Sequence, residues 1–246
     1  GNFRDYLIKG NRKEFTVSDL RETSDNEGTD SLKDVEFVQF KDQKIDIRRH
    51  LNKAPKLTGD AIELEQGLED IVYTFSEADL LKGYSDLDGD GLSVAELSTS
   101  VGTLDDNGDG SWTLTPPKNF NGVVDLTYNV TDGIANTAAK QSFTLAEVND
   151  APILGGNRAT LADGTEDVPY IIQESDLLQG YTDIDGDKLS INSLNATDGT
   201  LNDNGNGTWT FTPAKDFNGT VDLKYFVTDK KGGKIGASQS FSLAAV

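Results

Sequence analysis

Apolar and polar positions alternate with period two along much of the chain. Ile71, Tyr73 and Phe75 form one such run, Val124, Leu126, Tyr128 and Val130 a longer one, and Phe143 with Leu145 a third. Leu104, then Trp112 and Leu114, flank a turn-rich cluster at Asp105–Gly110. Alternation of this kind turns one face of a strand to a core and the other to water. Runs separated by Gly, Asn and Asp predict a sandwich of about seven short strands. Helical signal is confined to Ser76–Leu81 and Glu174–Leu178, each predicted as one capped turn after the second strand.

The pattern occurs twice. At an offset of 97, Asn52-Lys53-Ala54-Pro55 falls on Asn149-Asp150-Ala151-Pro152, Asp86–Asp90 on Asp183–Asp187, and Trp112 on Trp209. One extra residue between Lys230 and Gly236 then shifts the register. The expected organisation is all-β: a small β-rich segment over 1–51, then two immunoglobulin-like β-sandwiches over 52–148 and 149–246. A proline at each joint fixes φ where two modules meet. In the leader, Phe15-Thr16-Val17 predicts a strand, Arg21–Asp30 a polar loop, and Val35–Phe40 with Lys44–Ile47 two strands around a Lys41-Asp42-Gln43 turn. His50 reads as a linker residue, and the leader is expected to pack on the first module.

Composition narrows the function. The 42 acidic residues outnumber the 22 basic ones, and nearly all of the net charge of −20 lies in the repeats. Such a surface repels nucleic acid and anionic membranes. There is no cysteine, so no disulfide. No apolar run is long enough to span a bilayer, and the first residues do not form a signal peptide. The repeat demands another joint after Val246, so further modules are expected beyond it. One histidine, no cysteine and no paired acids beside a nucleophile argue against an enzyme.

The sets Gly67-Leu68-Glu69-Asp70, Ser76–Ser93, Gly102–Thr113, Phe120-Asn121-Gly122, Val130-Thr131-Asp132 and Val148–Pro152, with their second-copy partners, resemble the cadherin-like tandem repeats of large bacterial RTX adhesins. Gly28–Asp42 resembles the segment that closes RTX β-rolls. The resemblance implies calcium and extracellular extender modules. It also implies a bacterial cell-surface location, with export by type I secretion. The partners it implies are neighbouring modules of the same chain, with any cell-surface or glycan ligand elsewhere in the intact protein.

Three acidic sets compete for that calcium. The Asp86-x-Asp88-Gly89-Asp90 loop keeps all its aspartates in the second copy as Asp183, Asp185 and Asp187. An EF-hand is excluded, because its twelfth position is Leu97 or Leu194. Asp105–Gly110 loses charge in its partner Asn202–Gly207, and turn chemistry explains it. The third set is dispersed: Glu69-Asp70 with Glu166-Asp167, Asp132 with Asp229, and Asn149-Asp150. Threading a seven-strand sandwich gathers the aspartate loop, the Val-Thr-Asp loop and the incoming linker at one end, with Glu69 at the other. Glu69 is therefore expected to reach toward Asn149, Asp150 and the second copy's aspartates. Lys53 replaces a ligand at the first joint, which predicts weaker calcium binding there. The expected function is a calcium-stabilised extender of a secreted adhesin, serving adhesion and biofilm formation. The alternative is a carbohydrate-binding module of a polysaccharide-active protein; it would need displayed aromatics, whereas Trp112 and Trp209 are expected to be buried.

Overall fold

The computed structural model describes residues 1–21 and 28–246. It has two compact units, Gly1–Ala146 and Glu147–Val246. Among the described residues no helix is long and apolar enough to cross a membrane.

The first unit begins with the leader. Strands β1 (Tyr6–Gly10), β2 (Glu14–Asp19) and β3 (Thr29–Lys33) form an antiparallel sheet, and β4 (Phe37–Gln39) pairs with β5 (Lys44–Asp46). Helix α1 (Ile47–His50) follows. Phe15, Ile8, Phe40, Ile47 and Leu51 are buried together, so the leader has its own small core. Two strands, β1 and β3, go beyond the sequence expectation. The polar loop placed at Arg21–Asp30 overran the start of β3, and its residues 22–27 lie outside the described residues. His50 ends α1 and stands edge-on to Phe3, with ring centroids 5.6 Å apart.

The first module continues with β6 (Lys56–Leu57), β7 (Gly67–Leu68), β8 (Tyr73–Ser76), α2 (Glu77–Leu81) and β9 (Tyr84–Ser85). Then come β10 (Ser93–Thr99), β11 (Thr103–Asp106), β12 (Ser111–Thr115), β13 (Gly122–Thr131) and β14 (Asn136–Ala146). One sheet has the order β10-β13-β14-β7 and the other β11-β12-β8, with β6 and β9 paired separately. The core between them holds Phe75, Leu80, Leu114, Val124, Leu126, Val130, Phe143 and Leu145. Along β13 the buried positions are Val124, Leu126, Tyr128 and Val130, the alternation expected from sequence. Full burial of each such aliphatic side chain contributes about 1.5–3 kcal/mol. Ile71 is a correction: it is 53 % exposed and precedes β8. Asp70, at φ +59°, turns the chain before it and breaks the alternation.

The second unit repeats this plan. Its strands are β15 (Ile153–Leu154), β16 (Gly164–Thr165), β17 (Tyr170–Gln173), β18 (Tyr181–Thr182), β19 (Ser190–Ala196), β20 (Gly199–Asp203), β21 (Thr208–Pro213), β22 (Gly219–Thr228) and β23 (Lys234–Ala244). The single helix, α3, is Glu174–Leu178. The sheets are β16-β23-β22-β19 and β17-β21-β20, beside a β15-β18 pair. In both modules a buried tyrosine fastens the helical turn to the long strand. The Tyr128 hydroxyl donates to Leu80 O at 2.9 Å and that of Tyr225 to Leu177 O at 3.1 Å. Burial pushes both phenols up to about 12.

The helical turns differ in one respect. Ser76 accepts from Asp79 N–H at 3.2 Å while Asp79 accepts from Ser76 N–H at 3.0 Å, which closes a capping box. Gln173 stands in the same place in the second module and makes no side-chain cap, so only the first turn is capped as expected. Trp112 and Trp209 are half-buried against their cores rather than fully buried, and Trp112 stacks on Phe75.

Candidate metal centres

Each aspartate loop is wound around its first carboxylate. Asp86 Oδ1 accepts from Asp88 N–H at 2.8 Å and Asp90 N–H at 3.3 Å. Asp183 Oδ1 accepts from Asp185 N–H at 3.0 Å and Asp187 N–H at 3.3 Å. Gly89 and Gly186, at φ +79° and +77°, supply the left-handed step this winding requires. The apolar residues between the aspartates, Leu87 and Ile184, point outward and are 83 % and 56 % exposed.

The incoming linker closes over each loop. Lys53 N–H donates to Asp88 Oδ2 at 2.7 Å, and Asp150 N–H to Asp185 Oδ2 at 2.7 Å. The linker asparagine reaches the Val-Thr-Asp loop: Asn52 Nδ2 donates to Asp132 Oδ2 and Asn149 Nδ2 to Asp229 Oδ2, both at 2.8 Å. Loop, linker and Val-Thr-Asp turn thus meet at one end of each sandwich, as the threading expected.

Asp132 and Asp229 also organise their own turns. Asp132 Oδ1 accepts from the N–H groups of Ile134 and Ala135, both at 2.7 Å. Burial works to raise the Asp132 carboxyl, but the Ala135 and Ile134 N–H groups and the Asn52 amide hold it below its ordinary value. Asp229, 4 % exposed, accepts from Lys231, Gly232 and Gly233 N–H. The Asn149 amide is the largest influence holding Asp229 below its ordinary value.

The result is two acidic cups. In the first, carboxylate oxygens of Asp86, Asp90 and Asp132 lie within 4.8 Å of one another; in the second, those of Asp183, Asp185 and Asp187 do. Asp86 Oδ2, Asp183 Oδ2 and Asp187 Oδ2 are buried and have no hydrogen-bond partner among the described residues. Gathered, orphaned carboxylate oxygens suit a hard cation that takes six to eight oxygen ligands, as calcium does. Of the expected residues, Asp88 lies outside the first triad, although its counterpart Asp185, which accepts the equivalent linker N–H, lies inside the second. Glu69 lies at the opposite end of its module: its N–H donates to Ala146 O at 2.9 Å and its carboxylate accepts from Asn121 Nδ2 at 3.4 Å. Asp105–Gly110 is an exposed turn, with Asp106 Oδ1 accepting from Gly108 N–H at 2.8 Å.

Two cations at the cups were missed by sequence reasoning. Arg12, at the tip of the β1–β2 hairpin, forms an ion pair with Asp90 and donates from Nη1 to Asn52 Oδ1 at 3.0 Å. Nothing in the local sequence marks it, since its partners are distant along the chain. Lys231 Nζ lies 2.8 Å from Asp187 Oδ1. It sits in the turn that carries the extra residue, which was the available signal. Gly233 closes that turn so tightly that a Cβ there would stand 2.7 Å from Ala151 Cα.

Among solved structures, an endo-fucoidan hydrolase of glycoside hydrolase family 107 is 19 % identical over 98 % of this chain, with a TM-score of 0.34. This chain spans only 37 % of that protein's length. Human protocadherin-24 EC1-2 is 16 % identical (79 % of this chain, 99 % of that one, TM-score 0.47). Drosophila N-cadherin EC1-4 is 11 % identical (95 % and 56 %, TM-score 0.46). No curated protein matches the chain. The cadherin-like domain family, whose members are typically extracellular and typically bind calcium, matches residues 51–146 and again 148–244. The chain belongs to that family, with two cadherin-like domains in tandem.

Proposed function

We propose that this chain supplies calcium-stabilised, non-catalytic structural modules to a secreted bacterial surface adhesin of the RTX type. The observation that carries the calcium reading is the second cup. Asp183, Asp185 and Asp187 converge there, with Asp183 Oδ2 and Asp187 Oδ2 buried and satisfied by no donor among the described residues, in a loop bonded to the linker residue Asp150. Without a cation, those carboxylates repel one another in a partly desolvated site. With calcium bound, Asp183, Asp185 and Asp187 would be the main ligands. Asp150, Asn149 and Asp229 would then fix the linker and neighbouring turn around the ion.

The adhesin context is supported by the tandem arrangement, the acidic surface and the leader's resemblance to an RTX β-roll-closing segment. Extracellular calcium is millimolar, which suits sites with dissociation constants of roughly 10⁻⁴ to 10⁻³ M. The same sites would stay empty in the cytosol, so the modules would reach full stability only after export. Thermal unfolding with millimolar calcium and then with EDTA tests this. The melting temperature is expected to fall in EDTA, and Asp185→Ala is expected to remove most of the difference. An identical melting temperature in both conditions would refute the calcium reading.

A further inference from the structure

The two cups are built from equivalent loops, linkers and turns, and they receive different cations. We infer that the leader carries its own cation into the first cup: the Arg12 guanidinium takes the place a metal ion would take, so the junction between leader and first module is set without calcium.

Four observations converge on this. Arg12 is held at its post by the turn that presents it. Asn11 Oδ1 accepts from Lys13 N–H at 2.9 Å and Glu14 N–H at 3.0 Å, and Gly10 has φ +136° with no room for a Cβ against Glu14 O. The Arg12 side chain is partly buried, 13 % exposed, and its two terminal nitrogens serve different elements. Nη1 reaches the linker through Asn52 and Nη2 reaches the acidic loop through Asp90. Asn52 in turn donates to Asp132, so one guanidinium ties the leader, linker, loop and Val-Thr-Asp turn together. Finally, the linker residue that is Asp150 in the second joint is Lys53 in the first, an ammonium where a further carboxylate would be needed.

Guanidinium chemistry suits the substitution. It is a planar, permanently charged fork, more weakly hydrated than an ammonium, so it bridges several oxygens in a partly buried site at a lower desolvation cost. Lys231 makes the contrast in the second cup. Like Arg12 it pairs with one carboxylate, but its side chain is 54 % exposed against 13 % for Arg12, so it can swing into water and leave the oxygens to an incoming ion.

The inference deepens the calcium reading and rests on it for the contrast between cups, so the test needs an arm that is independent of metal. In the full chain with EDTA, hydrogen exchange is followed for wild type, Arg12→Ala and Arg12→Lys. Arg12→Ala is expected to speed exchange of the Lys53 amide and the Asp88 and Asp90 amides by about tenfold, while Asp185 and Asp187 amides are unchanged. Arg12→Lys should recover this only in part, because an ammonium cannot span Asn52 and Asp90 as a fork does. In the second arm, native mass spectrometry and calorimetry with calcium chloride count the ions bound. Arg12→Ala combined with Lys53→Asp is expected to bind one ion more than wild type. Unchanged exchange in Arg12→Ala, or equal ion counts in the double variant and wild type, would overturn the inference. If neither protein binds calcium, the calcium reading falls, and the exchange arm alone decides whether Arg12 clamps the cup.

Discussion

The first cup and the second are near copies in backbone and opposites in how their charge is balanced. Both wind the loop on its first aspartate, both take the linker amide onto the middle one, and both bind the linker asparagine to the Val-Thr-Asp turn. The first then receives a partly buried guanidinium from a separate element, whereas the second holds a half-exposed ammonium of its own turn. A clustered set of carboxylates therefore fixes the demand for positive charge but not its source. That source is set by what the rest of the chain brings within reach.

Unequal sandwich cores would separate the two modules most. Leu126→Ala and Leu223→Ala, both at fully buried positions, are expected to cost about 2–5 kcal/mol each in denaturant unfolding. Each should move one transition and so mark which module it belongs to. Next is calcium itself. At about a hundredfold excess over the dissociation constant a bound ion adds about 2.7 kcal/mol, and this should appear in the transition marked by Leu223→Ala more than in the other. Equal shifts in both transitions would mean that Arg12 yields its place to the metal.

The helical turns provide a smaller contrast. Ser76→Ala is expected to cost about 1 kcal/mol through the lost cap, and Gln173→Ser to gain a similar amount in the second module. The Ser76 hydroxyl, with Ser76 N–H, holds the Asp79 carboxyl below its ordinary value. Its folded pKa is thus lower than its unfolded one. The stabilisation is complete above the unfolded value and fades as pH falls through the folded value. The Ser76→Ala penalty should accordingly be present at neutral pH and shrink in acid, when urea unfolding is repeated across that range. The smallest expected effect is Lys231→Ala, which should modestly tighten calcium binding measured by calorimetry, by removing a competitor at Asp187.

The sandwiches were legible in sequence because duplication repeats each signal and because strands such as β13 bury alternate residues. The cups were legible for the same reason: an acidic loop retained in both copies stands apart from Asp105–Gly110, whose charges are not retained. The leader was read less well. β3 carries mostly exposed side chains and exists through backbone pairing with β2, so polarity disguised it as loop. β1 buries only Ile8. Ile71 kept the alternation on paper while a left-handed residue before it turned the chain away. Arg12 could not be read at all, since an ion pair between residues far apart in sequence leaves no local pattern.

Strand β7 has a consequence for mechanical load. It is two residues long and runs parallel to the end of β14, with Gly67 opposite Leu145 and Leu68 opposite Ala146. Glu69 N–H adds a further bond to Ala146 O, and Glu166 does the same to Ala244 O in the second module. Gly67 gives the room for this: a Cβ would stand 2.7 Å from Leu145 Cδ2 and 2.8 Å from Tyr73 Cδ2, and those side chains would have to shift. When tension is applied through the two ends of such a module, β7 and β14 are drawn in opposite directions along their shared edge. The bonds between parallel neighbours then share the load as shear instead of opening singly, and survival under force is governed by the unfolding rate. Gly67, by letting β7 lie close against β14, puts backbone hydrogen bonds where a pull on the module's ends would load them in shear.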